Sequence, residues 1–309
     1  MRPVQQSIVF PTLEAGRAPS IPDFVEAFED SRQPVLGLVG ARLSPGSRLA
    51  RQLSMHPSLI EQFSRLSSSV ETRLFTEYGA IFITTAMPPP KIMFDDPRDV
   101  NTFQALLPVD RAFFGDYEIE LQAKALGALA AAAAEMSSRG GSITARAADS
   151  GSRSYEDTAR LWNRNVTRGL EHWKSLGRID AETAASILKL SPAEQVSPIL
   201  SLEETEQLFF GTFFDRSILY SVAAPGASQH LSRLAFDVAE FENMEVKSVL
   251  AGHGWLRTVP SDLPHFTFLG WREAELGNMG LQRVERVCGT QVYDFWIPDL
   301  DQLQPISGR

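Results

Sequence analysis

The sequence predicts an α+β fold: a small, mainly antiparallel sheet that carries the functional site, flanked by helices and preceded by a helical N-terminal extension. Two observations predict it. Apolar residues recur at helical spacing in long blocks, and these blocks fall before and between a few short β-branched runs rather than alternating with them. That is the pattern of segregated helices and strands, not of a βαβ series. Near the end, Val284, Val287, Val292, Tyr293, Phe295 and Ile297 alternate around Gly289-Thr290, which predicts a terminal hairpin over residues 281–297.

The elements follow in order. Residues 1–40 are rich in proline and glycine, with one short helical patch at 21–28, and predict an irregular segment. From 45 to 78, Leu49, Leu53, Leu59, Ile60, Phe63 and Leu66 are spaced as on helices, and Pro57 splits the stretch near Met55-His56-Pro57. Residues 80–85 are short, apolar and β-branched, and predict a buried strand ended by Pro88-Pro89-Pro90. A short helix is expected at 99–107, and a long one at 119–138 that stops at Gly140-Gly141. Its alanine run suits close packing against a neighbour. A strand is expected at 142–147, then helices at 155–176 and 180–190, the second capped by Asp180, and helical pieces over 192–210. Strands are expected at 217–222, 231–238 and 265–269, with a helix at 245–253. These divide the chain into an extension at 1–118, packed on the core, and a domain at 119–309 with a helical insertion at about 156–212 and the terminal hairpin.

Composition excludes several classes. A net charge of -9 and the lack of a Lys/Arg cluster argue against a nucleic-acid surface. Cys288 is the only cysteine, so an intrachain disulfide and a thiolate metal cluster are excluded, and it reads as a buried core thiol. No apolar run reaches the roughly 18 residues of a membrane span. The first residues show no apolar leader, so the expected setting is the cytoplasm, or the periplasm or cell envelope if a leader precedes this sequence. Nothing in the pattern predicts an oligomeric state.

Two of the five histidines carry the chemistry. His230 ends Pro225-Gly226-Ala227-Ser228-Gln229-His230, with Asp237 seven residues on, and His265 follows in Asp262-Leu263-Pro264-His265-Phe266. Two imidazoles and one carboxylate can hold a zinc ion and leave its fourth position open, as in a catalytic site. Asp262, three residues before His265, can serve as a base on water there. Residues seven apart on a regular strand point to opposite faces, so His230 and Asp237 converge only if a turn or bulge lies between them. Taken singly, His230 also fits a core histidine, Asp237 a cap or surface carboxylate, and His265 a packing residue between Pro264 and Phe266. His253 at a helix end fits a C-terminal cation, and His172 and His56 fit structural positions. The chain shows no glycine-rich phosphate loop and no Gly-x-Ser-x-Gly elbow.

Four segments in this order carry a resemblance. They are Ser150-Gly151-Ser152-Arg153-Ser154, Ser228-Gln229-His230 running to Ala235-Phe236-Asp237, Gly254-Trp255, and Asp262-Leu263-Pro264-His265-Phe266. Over about residues 120–270 the chain resembles the zinc D-alanyl-D-alanine carboxypeptidase-like family, which includes D-Ala-D-Ala dipeptidases and L-alanyl-D-glutamate endopeptidases. The family pattern is Ser-Gly-Tyr-Arg-Ser, then Ser-x-His-x-x-Gly-x-Ala-x-Asp, then Glu or Asp two residues before a histidine followed by an aromatic. The resemblance implies that His230, Asp237 and His265 hold zinc, that Asp262 is the catalytic acid, that Arg153 steadies the substrate carbonyl oxygen and that Ser228 lines the substrate site. It implies a peptidoglycan stem peptide as substrate, cut beside a D-amino acid, either at the terminal D-alanine or within the stem.

This chain departs from the pattern in three places. Ser152 replaces the tyrosine, Arg233 replaces the glycine in the first metal motif, and Asp262 with Leu263-Pro264 stands where Glu often precedes Trp-His. The departures keep open a cell-wall-binding protein that has the fold without turnover. Arg153 also fits a structural partner of Asp149 or Glu156, Ser228 a turn residue, and the insertion either a cap on the core or a wall of the substrate groove.

Overall fold

The computed structural model describes residues 57–288 and 290–300. The irregular segment at 1–40, its helical patch, and His56 lie outside them. Mixed helices and small antiparallel sheets make up the chain, in keeping with an α+β fold. Among the described residues two helices come first, α1 (Pro57–Ser64) and α2 (Ser69–Tyr78). Pro57 opens α1, the break falls at 65–68 rather than near Met55-His56-Pro57, and the helix expected before Pro57 lies outside the described residues. A capping box of Ser68 and Glu71 starts α2. Helix α3 (Pro97–Gln104) follows, then a hairpin of β1 (Val109–Phe114) and β2 (Tyr117–Gln122). Next come α4 (Ala123–Ser138), α5 (Tyr155–Ser175), α6 (Ala181–Leu188) and α7 (Pro192–Thr205). Asp180 caps α6 as expected, accepting from Thr183 N at 2.7 Å. Strand β3 (Ala235–Asp237), helix α8 (Met244–Gly252), and strands β4 (Trp255–Leu256) and β5 (His265–Phe268) precede the terminal hairpin of β6 (Leu281–Cys288) and β7 (Gln291–Pro298).

The sheet that matters runs β3-β5-β4, antiparallel throughout. Its register puts Phe236 opposite Phe266 and Asp237 opposite His265. Side chains alternate along a strand, so the phenylalanine pair faces the main core while Asp237, His265 and Thr267 face the other way. That core gathers Phe114, Leu126, Leu129, Ala132, Val249 and Trp255 around the sheet. Buried Ala125 and Ala132 of α4 lie in the same core as Val246 and Leu250 of α8, the close packing that the alanine run predicts.

A second core belongs to the helical insertion. Trp162, Val166, Leu170 and Trp173 of α5 pack with Ile199 and Leu200 of α7 and with Val70, Leu74 and Tyr78 of α2. Buried Glu203 ties these pieces together: it accepts from Arg73 at 2.9 Å, Phe210 N at 3.1 Å and Ile218 N at 2.6 Å.

Several expected elements differ. Residues 80–85 form no strand; Gly79–Ile83 is a 3-10 turn buried on every side, and a short apolar run fully covered by core carries no periodicity to tell the two apart. The strand expected at 217–222 is likewise a 3-10 turn, Ile218–Tyr220, started by Ser217. The segment at 142–147 makes a single bridge, Ala145 to Val238. The helix expected from 119 begins at Ala123, because Ile119 and Leu121 belong to β2 and turn their side chains into the core. The strand expected at 231–238 is only Ala235–Asp237. Cys288 is half-buried beside the cluster of Val284, Tyr293, Phe295 and Ile297, not a core thiol.

Gly226, which leads into the His230 motif, has φ +78, and a Cβ there would meet the Phe94 carbonyl oxygen at 2.0 Å. Both the left-handed backbone and the contact exclude a side chain. Gly226→Ala is therefore expected to cost at least about 2 kcal/mol in denaturant unfolding; a loss below about 0.5 kcal/mol would contradict the packing described.

Candidate metal site and cavity

The seven-residue gap between His230 and Asp237 is closed by a turn, as convergence requires. His230 sits in a 3-10 turn, Gln229–Ser232, which ends at Arg233 in the left-handed region with φ 53 and ψ 36. The chain then enters β3 and delivers Asp237 beside its cross-strand partner His265. Left-handed backbone favours glycine, and here the position is held by an arginine. The arginine turns to Glu120, 2.7 Å away, and is not among the residues lining the cavity described below.

His230, Asp237 and His265 are all buried and can hold a metal ion between them. His265 Nδ1 lies 3.2 Å from Asp237 Oδ1, and His230 Nε2 lies 3.3 Å from the same oxygen. Ligand atoms at about 2.0–2.1 Å from a tetrahedral zinc stand roughly 3.3 Å apart; the two separations to Asp237 match this, and all three donors lie within 4.8 Å of one another. Neither ring nitrogen of His230 makes a hydrogen bond, although both are buried. Buried polar atoms are rarely left so, and a cation shared with Asp237 would satisfy one of them.

Electrostatics suits ligands in their binding forms. Burial pushes the His230 imidazole down to about 4, against the opposing pull of Asp237, so it is neutral at physiological pH. Burial raises the Asp237 carboxyl, but the neighbouring imidazoles of His230 and His265 outweigh it and hold it well below the ordinary range.

The other expected site residues surround this cluster. Arg153 Nη2 donates to Asp237 Oδ2 at 2.9 Å, and its Nε donates to Asp149 at 3.1 Å. Its segment is bound in directly, since Asp237 N donates to Ser150 O at 3.0 Å. Gly151 permits this approach: a Cβ would meet Ile119 at 2.4 Å. Ser228, Asp262 and Arg153 join the three ligand residues on the wall of one cavity of about 410 Å³. Burial raises the Asp262 carboxyl, and the Asp237 charge adds to this while His265, Arg153 and Arg146 oppose it. Thr158, Leu161 and Arg164 of α5 line the same cavity. The insertion thus has its own core and also lines the cavity.

The other described histidines stand apart. His253 closes α8 and lies 2.8 Å from Glu135. His172 stacks on Phe214 with ring centroids 4.3 Å apart. Asp157 accepts from Ser154 and Arg160 rather than Arg153.

Several supporting residues gave no sequence signal. Arg257 is buried, stacks over Phe266 and Tyr293, and donates to Leu263 O at 3.2 Å. It braces the turn from Asp262 to His265 from below. Glu77 accepts from Ser261 N at 3.1 Å, and Arg286 donates to Pro260 O at 2.6 Å. Gln229 bonds His265 from behind, with Nε2 to Oε1 at 2.9 Å. Gln229 stands beside His230, and Thr267 shares the strand face of His265 by period two; those were the available hints.

No family model, no curated protein and no solved structure matches the chain. Among the described residues, no helix is long and apolar enough to cross a membrane.

Two expectations follow. In metal-free protein, folded His230 takes a proton only near pH 4, whereas an unfolded histidine takes one near 6.5. Across that window the unfolded state binds more protons, so stability falls as pH falls, by up to about 3 kcal/mol. Denaturant unfolding with chelator present should show a steeper pH dependence for wild type than for His230→Gln; equal slopes would contradict the burial. Arg233→Gly should leave zinc uptake unchanged and shift stability by no more than about 1 kcal/mol, since relief of the left-handed backbone offsets the lost Glu120 pair. Loss of uptake would show that Arg233 shapes the site.

Proposed function

We propose that this chain is a zinc-dependent hydrolase that cuts a peptide bond beside a D-amino acid in a peptidoglycan stem peptide, in the manner of the family its motifs resemble. The observation that carries the reading is the donor cluster: two buried imidazoles about one carboxylate oxygen at 3.2 and 3.3 Å, one imidazole without a hydrogen bond, on the wall of a cavity that also holds Asp262. A set of two nitrogens and one oxygen suits zinc and leaves room for a further ligand. Zinc bound there supplies a Lewis acid and lowers the pKa of a coordinated water to about 7.

The chain's own groups divide the remaining work. Asp262, with its raised carboxyl, accepts a proton from the attacking water and returns it to the leaving amine. Arg153 holds Asp237 through Nη2 and Asp149 through Nε and offers its Nη1 N–H groups to the oxygen that gains charge. Ser228 offers a hydroxyl to the substrate backbone. The α5 wall limits what approaches beside the scissile bond. Arg233, one of the departures that keep a non-catalytic protein open, pairs with Glu120 and is not among the residues lining the cavity.

Asp262→Ala tests the assignment. Zinc content should be unchanged and hydrolysis of muropeptides should fall at least about 100-fold. A panel with and without the terminal D-alanine then separates carboxypeptidase from endopeptidase cutting. Turnover that survives the substitution would remove Asp262 from the mechanism, and no turnover of any muropeptide by zinc-loaded wild type would contradict the proposed substrate.

A further inference from the structure

The hydrogen bonds behind His265 run in one direction. They start at the backbone carbonyl of Tyr78, which can only accept. Gln229 meets it with Nε2 at 2.9 Å, so the amide's NH2 end faces Tyr78 and its carbonyl end faces away. That carbonyl oxygen lies 2.9 Å from His265 Nε2 and also accepts from the Thr267 hydroxyl. Thr258 lies 2.7 Å from Thr267 and 3.4 Å from Gln229 Nε2, closing the network. A carbonyl oxygen cannot donate, so His265 Nε2 must carry the hydrogen. All five residues are buried, so bulk water does not compete for these groups.

We propose, resting on the metal reading above, that Gln229 is a positioning residue. Its amide, oriented by the Tyr78 carbonyl, holds the His265 proton on Nε2 and leaves Nδ1 for the cation shared with Asp237 and His230. Without that acceptor the neutral ring can take its other tautomer, with Nδ1–H donating to Asp237 Oδ1, now 3.2 Å away. A metal would then have to displace this proton. Partners of this kind behind a ligating histidine fix its tautomer and ring orientation. Here the partner is a neutral amide, so it sets the tautomer without adding a second negative charge to the site.

The test has two arms. In 15N-histidine-labelled wild type, nitrogen shifts show which ring atom of His265 carries hydrogen. Nε2 should be protonated with and without zinc, and zinc should move the Nδ1 resonance. A metal-free protein with Nε2 bare and Nδ1 protonated would overturn the proposal. In the second arm, Gln229→Leu should bind zinc about 10- to 100-fold more weakly in competition with a chelator, and Gln229→Glu, which keeps an acceptor, should recover most of the loss. A folded Gln229→Leu protein with wild-type affinity would also overturn it. If Gln229→Leu does not fold, the labelled wild type decides. If wild type takes up no zinc, the hydrolase reading falls, while the metal-free nitrogen shifts still judge Gln229.

Discussion

The pairing of Asp237 with His265 across β3 and β5 is the constraint from which the site follows. The same three-residue pairing sets Phe236 against Phe266 in the core, so the core layer and the site layer are two faces of one register. A slip by one residue would put the carboxylate and imidazole among aromatics and the phenylalanines in the cavity. Three residues are too few to hold a register alone. Bonds from outside the sheet hold it: Arg146 N to Asp237 O at 3.1 Å, Asp237 N to Ser150 O at 3.0 Å and Val238 N to Pro264 O at 3.0 Å. The middle bond also brings the Ser-Gly-Ser-Arg segment to the site, so the register and the position of Arg153 share one cause.

Burying one carboxylate against two imidazoles is costly unless each charge and donor finds a partner. Arg153 answers one oxygen of Asp237. The other oxygen is shared between His265 Nδ1 and His230 Nε2, and His230 has no hydrogen bond of its own. A cation among the three would complete such a cluster. Other groups hold its surroundings in place: Gln229 steadies His265 from behind, and Arg257, Arg286 and Glu77 hold the turn that carries Asp262. Stability has been spent on placing polar groups, which is expected of a functional site and not of a packing core.

The candidate site residues and the longer helices were legible in the sequence. His230, Asp237, His265, Asp262, Arg153 and Ser228 line one cavity, a convergence that the order of their motifs, rather than any one spacing, pointed to. Helix α5 was legible from its sequence pattern, though its Ser154 cap was not expected there. The short buried turns at Gly79–Ile83 and Ile218–Tyr220 were not, since total burial erases periodicity. Nor was the β1–β2 hairpin, whose Ile119 and Leu121 merge into the apolar run of the helix that follows. Gln229, Thr258, Glu77 and Arg257 act through contacts distant in sequence, and as common polar residues they announce nothing until the fold brings their partners near.

The most direct test of the central claim is a crystal structure of zinc-treated protein with data collected on both sides of the zinc absorption edge. The account predicts one strong anomalous peak about 2.0–2.2 Å from an imidazole nitrogen of His230, a carboxylate oxygen of Asp237 and Nδ1 of His265. A zinc-treated crystal with no peak among these three residues, and with His230 hydrogen-bonded to protein or water instead, would contradict it.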